Sequence, residues 1–115
     1  MKVGDVMKQD KFEVLLEMQK ELMSIIKQRT GELATLTDIT VAMMTEVSEW
    51  ANAHGEFKKW KLNHKYDREH VLEEFVDILF FWLQAMIMQN FTIVDIMRKY
   101  MEKYDENVRR QHNGY

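Results

Sequence analysis

FVDILFFWLQAMIM, residues 75–88, holds a single charged side chain, Asp77, and one other polar one, Gln84. No proline or glycine interrupts it, and its length and composition predict a helix that is apolar nearly all round. In a lone four-helix bundle each helix keeps one wet face, whereas residues 78–83, ILFFWL, leave none. A partner subunit is therefore expected to cover part of this helix, making the assembly at least a dimer. An ionised carboxylate in such a setting must be paired, protonated or bound to a metal, because burying it bare costs many kcal/mol. Something cationic is expected beside Asp77.

Working outward, Glu74 precedes Asp77 by three residues. Glu46 and Glu49 repeat that spacing, and 24 residues separate the two doublets. On a helix, positions i and i+3 lie about 60° apart with Cβ atoms roughly 5–6 Å from each other, so each doublet can hold one hard cation. Acidic residues at this spacing are common on solvated faces, and a lone ExxE is more often surface than site. Two features favour metal binding here: Ala42 and Ala53 leave room beside Glu46 and Glu49, and Asp77 has no wet face to occupy. Four carboxylates facing one another across two helices would repel unless divalent cations lay between them. All-oxygen ligation selects Mg²⁺, with Mn²⁺ as a substitute, over zinc or copper.

The remaining sequence predicts an all-α, four-helix up-and-down bundle. Proline is absent, and glycine occurs only at positions 4, 31, 55 and 114, near the ends of periodic segments. The first helix is expected from Asp10, its N-cap, to Thr30, with Phe12, Leu15, Leu16, Leu22, Met23 and Ile26 on its inner stripe and Gly31 as the stop. The second begins near Thr37 or Asp38 and ends before Gly55, its stripe being Met43, Met44, Val47, Trp50 and Ala51. Asp67 caps a third helix reaching about Asn90, and Thr92 a fourth reaching about Gln111. Residues 56–66 form the one long connection.

Composition narrows the function classes. At 115 residues the chain is expected to be one domain, spanning 1–115, able to bury about two-thirds of its unfolded surface. There is no cysteine, which excludes disulfides and thiolate metal sites. A net charge of −3 with the charges spread along the chain argues against nucleic-acid or anionic-membrane binding. The opening MKVGDVMKQDK lacks the apolar stretch of a leader, and the 14-residue apolar run is too short to span a bilayer. A cytoplasmic protein is expected. The ten methionines are read as adaptable packing, and His54, His64, His70 and His112 show no zinc-ligand spacing.

Three segments in order carry a resemblance. TEVSEWANAHGEFKKWK (45–61), HVLEEFVDILFFWL (70–83) and YMEKYDENVRRQHNGY (100–115) resemble the first doublet with its FKxWK-like element, the second doublet, and the closing KxxxNxxRQxxGY pattern of the dimeric dUTPase family. That family lies within the all-α nucleoside triphosphate pyrophosphohydrolase superfamily, which also includes MazG-like enzymes. The resemblance implies hydrolysis of dUTP to dUMP and pyrophosphate, with Glu46, Glu49, Glu74 and Asp77 as Mg²⁺ ligands and Glu49 as general base. It implies phosphate binding by Lys103, Asn107 and Arg110, which form one stripe of the fourth helix, with Arg109 an adjacent alternative. Lys58 and Lys61 of the FKKWK loop are further phosphate candidates, with a solvated loop lysine about equally consistent. Gln19 fills a gap in the apolar stripe of the first helix, and its amide suits the edge of uracil; a satisfied core glutamine is the competing reading. Trp60 and Phe81 are candidates to flank base or sugar.

The sequence departs from the family pattern twice. Met23 stands where family members often carry Asn or Asp, and only 25 residues separate Asp77 from Lys103 where longer members insert a helical region. Two other functions therefore stay open: a MazG-like pyrophosphohydrolase acting on other or modified deoxynucleotides, and a noncatalytic, cation-binding helical dimer. In the enzyme readings the partners are a deoxynucleoside triphosphate and a second copy of the chain, as a homodimer or tetramer.

Overall fold

Among the described residues four capped helices make up the secondary structure: α1, Lys11–Thr30; α2, Leu36–His54; α3, Arg68–Met88; and α4, Ile93–His112. The computed structural model describes residues 9–114. Residues 1–8, read above for a leader, and Tyr115, the last residue of the closing pattern, lie outside the described residues. No strand occurs among the described residues, so the fold is all-α as expected. No helix among them is long and apolar enough to cross a membrane.

The helix ends follow local chemistry. The Asp10 carboxylate accepts from the Glu13 amide at 3.1 Å, and Gly31 closes α1 at φ 76°, the left-handed conformation glycine adopts without a Cβ penalty. The start of α2 differs slightly from expectation. Thr35 is the N-cap and Asp38 its reciprocal partner, each side chain bonding the other's backbone amide. Asp38 thus acts at the third helical position of a capping box, with the helix already under way. Thr92 and Asp95 repeat the same box on α4. Asp67 caps α3, accepting from the amides of Glu69 and His70.

Helix α2 packs along α3, and α1 lies less extensively against α3, in a bundle-type arrangement. Leu16, Leu83 and Met86 form the central cluster, with Phe12, Ile87, Ile93 and Ile96 packed around it. The inner stripes are narrower than the periodicity suggested. On α1 the buried positions are Val14, Leu16 and Gln19, while Leu15, Leu22 and Ile26 are exposed. On α2 only Ile39 is buried, and Met44 and Val47 face out. A helix with one neighbour hides a strip of its surface, and the rest of an apolar face waits for a second neighbour. The Cα radius of gyration, 17.8 Å, exceeds the roughly 13 Å of a closed domain of this length, consistent with a chain that does not close its own core.

Candidate metal and nucleotide site

The carboxylates converge where α2 and α3 are clamped by aromatic rings. Trp50, next to Glu49, packs on Phe75, next to Glu74, at 5.1 Å between ring centroids, and also meets His54 edge-on at 5.0 Å. This clamp fixes the register of the two helices at the level of the doublets. Glu46, Glu74 and Asp77 each offer one oxygen, and the three oxygens lie within 4.8 Å of one another. Glu49 stands beside both Glu46 and Glu74, close enough to share a proton with either.

The electrostatics are those of a site short of positive charge. Burial, then the hydrogen bond and charge of Glu49, with Asp77 and Glu74 adding to them, push the Glu46 carboxyl up to about 7. The Glu74 carboxyl is shifted the same way, first by burial and then by Glu49, with His70 opposing. One oxygen of Glu46 and one of Glu74 are sealed from solvent and receive no donor. Asp77, half-buried, has no ion pair among the described residues. No basic side chain among the described residues supplies the cation expected beside it. Donor-less carboxylate oxygens converging from two helices fit a hard divalent cation, which accepts several oxygen ligands at once.

A sequence model described as dUTPase matches residues 11–88, which include both doublets and Gln19. The chain belongs to the dimeric dUTPase family. Membership makes it a hydrolase of the dUTP diphosphatase class. The match ends with α3, so α4 lies beyond it. No curated protein and no solved structure matches the chain.

The other dUTPase candidate residues are dispersed. Gln19 is 3% exposed, and its Oε1 is buried without a partner. Phe81 is half-buried on α3. In the 56–66 connection Trp60 is 72% exposed and touches Phe57 edge-on, while the Lys58 ammonium sits 5.6 Å from the Phe57 ring centre; Lys61 is exposed. On α4, Lys103 and Arg110 both approach Glu106, at 3.8 and 2.7 Å, and Asn107 is exposed beside them.

His70 was missed as a site neighbour. Its Nδ1 lies 3.9 Å from Glu74, an ion pair when the ring is protonated. The signal in the sequence is the i, i+4 spacing of His70 and Glu74, which a search for zinc-ligand spacing alone does not pick out.

Proposed function

We propose that the chain is a Mg²⁺-dependent dUTP pyrophosphohydrolase that removes dUTP from the nucleotide pool as dUMP and pyrophosphate, working as a homodimer. The observation that carries this reading is the convergence of Glu46, Glu74 and Asp77, with two sealed and donor-less oxygens, inside the stretch that matches dUTPase.

Held by Glu46, Glu49, Glu74 and Asp77, Mg²⁺ would neutralise phosphate oxygens and acidify a ligated water, with Mn²⁺ able to stand in. Glu49 takes the proton of the attacking water as its oxygen bonds to the α-phosphorus, and the bond from that phosphorus to the bridging oxygen breaks, releasing pyrophosphate. Glu49 is suited to this by its place within hydrogen-bond reach of both Glu46 and Glu74, where the two doublets meet. Lys103, Asn107 and Arg110 hold the leaving polyphosphate, arginine as a two-pronged donor and lysine as a point charge. Lys58 and Lys61 add charge from the loop. A buried amide oxygen with no donor, that of Gln19, accepts the N–H that uracil offers, and Trp60 and Phe81 flank base or sugar.

Pyrophosphate release across a panel of deoxynucleoside triphosphates, with and without Mg²⁺, tests the reading. Turnover of dUTP well above the others, lost on chelation, is expected. Equal turnover of all would replace dUTP preference with the MazG-like reading, to which the apolar Met23 points. Release from none would leave the noncatalytic cation-binding dimer.

A further inference from the structure

The connection between α2 and α3 carries charge opposite in sign to the rest of the chain. Lys58, Lys59, Lys61 and Lys65 fall within residues 57–66, which hold no acidic residue. With these four taken from a net charge of −3, the remainder of the chain stands at −7. Averaged over the chain, that balance argues against an anionic partner. Collected in one loop, the lysines act locally, because salt confines the field of a surface charge to about 8 Å.

Apolar side chains share the same loop. Leu62 is 95% exposed, Trp60 72%, Tyr66 62% and Phe57 51%. Hydrogen-bonded turns hold them out. The Lys58 amide donates to the Gly55 carbonyl and the Lys61 amide to that of Lys58, each at 3.0 Å, and His64 Nε2 lies 3.1 Å from the Ala53 carbonyl oxygen. Tyr66 continues the patch into a cleft of about 220 Å³ that it lines with Trp50, Leu72 and Phe75, where Arg68 adds a fifth cation.

A single nucleic-acid strand and a layer of phospholipid headgroups are both polyanions, and the side chains favour the second. A strand stacks its bases on open ring faces in succession, whereas Phe57 and Trp60 meet edge-on at 76° with ring centroids 6.1 Å apart. Leu62, the most exposed of the four, has no ring to stack. A strand running past the loop would also cross a chain otherwise at −7, while a flat bilayer is met by the loop alone. Leucine, tryptophan and tyrosine set among lysines suit the acyl boundary, with ammonium groups reaching back to the phosphates.

We propose that residues 57–66 dock the protein on an anionic phospholipid surface, Leu62, Trp60 and Tyr66 entering the acyl boundary and the four lysines pairing with headgroup phosphates. The contact is peripheral, since no helix among the described residues is long and apolar enough to cross a membrane. Docking does not rest on the hydrolase reading. Lys58, Lys61 and Trp60 are shared with that reading, so the test is built on Lys59, Leu62 and Lys65, whose exposed side chains can be changed without disturbing packing.

Co-sedimentation with vesicles tests the proposal. The protein should bind phosphatidylcholine vesicles containing about one-third phosphatidylserine, should leave pure phosphatidylcholine vesicles in solution, and should be released by high salt. Lys59→Ala/Lys65→Ala should weaken binding about 25-fold, roughly fivefold for each lysine. Leu62→Ser should weaken it about tenfold by removing the inserted group. Circular dichroism and pyrophosphate release from dUTP in solution should be unchanged in both variants. Failure to bind anionic vesicles overturns the proposal, as does equal binding to neutral ones. Wild-type affinity in both variants also overturns it, by moving the contact to another surface. Binding of a single-stranded oligonucleotide by a protein that ignores the vesicles would replace the lipid with nucleic acid. Each of these results leaves the hydrolase reading in place, and loss of turnover with vesicle binding intact would remove that reading alone.

Discussion

Helices α2 and α4 begin with the same device and end in different circumstances. Thr35 with Asp38 and Thr92 with Asp95 form matching capping boxes, with bonds of 3.1 and 2.9 Å in each. Yet α2 is clamped to α3 by Trp50 and Phe75 and carries half the carboxylates, while α4 meets the central cluster through Ile93 and Ile96 of its first turn. Local sequence is enough to start and stop a helix; it does not decide what the helix packs on. The difference separates a scaffold that holds acidic groups in place from a helix with no buried residue of its own.

The largest expected effect falls on the scaffold side. Glu49→Gln should lower turnover by about 10³-fold, the scale of a lost general base, while helicity and binding of a nonhydrolysable dUTP analogue persist. Binding would be followed by calorimetry in Mg²⁺. Unfolding of this variant would reassign Glu49 as a structural residue, and near-normal turnover would move the base elsewhere.

Next in size is the junction that ends α2. Gly55 adopts φ +67°, and a Cβ added there would fall 2.5 Å from the His64 ring, whose Nε2 lies 3.1 Å from the Ala53 carbonyl oxygen. Gly55→Ala therefore meets two obstacles, a left-handed backbone and an occupied space, and should cost about 1–3 kcal/mol in urea unfolding. Gly31 also has positive φ, but nothing lies within 4 Å of its added Cβ. Gly31→Ala should be the milder of the two. Equal costs would mean that the His64 contact contributes nothing.

The fold was largely legible because capping residues and glycine stops are local signals: Asp10, Gly31, Gly55, Asp67 and Thr92 all stand where sequence placed them. The doublets were legible for the same reason, since i, i+3 spacing within a helix needs no tertiary information. What escaped was which residues would be covered. Leu22, Ile26, Met44 and Val47 read as core by their period, yet burial depends on neighbours that periodicity does not name. Whether Lys103 and Arg110 serve the carboxylates is not legible in the same way, because a stripe of cations fixes a helix face and says nothing of where that helix points.

Acidity gives a smaller effect that distinguishes the two regions. With Glu46 raised to about 7 from an ordinary 4.5, the folded chain holds a proton that the unfolded chain has already lost in that interval. Stability without divalent cations should therefore fall as pH rises from about 4.5 to 7 and level off outside that window. Asp38 and Asp95, lowered by their capping threonines, and Glu102, lowered by Lys99, act in the opposite sense and only at lower pH. In thermal melts the metal-free midpoint should be higher at pH 5 than at pH 8. Saturating Mg²⁺ at pH 8 should restore it, and Glu46→Gln should flatten the slope. A metal-free midpoint that rises with pH across this window would break the account.

The smallest effect sharpens the comparison most directly, because the two capping boxes are chemically alike and differ only in what their helices rest on. Removing a threonine cap costs about 1 kcal/mol where the helix is part of the cooperative unit. Thr35→Ala should therefore shift global unfolding by that amount at every protein concentration, since α2 and α3 form one body within each chain. Thr92→Ala acts on a helix of which no residue is buried. In dilute solution, where copies separate, it should fray α4 and lower helicity with little change in the main transition. At concentrations that favour the dimer the same substitution should lower the unfolding midpoint, because stability is then linked to association. Urea titrations of both variants over a hundredfold range of concentration would separate these behaviours. Identical, concentration-independent shifts would mean that α4 is held by its own chain as firmly as α2, and the contrast between scaffold and arm would be lost.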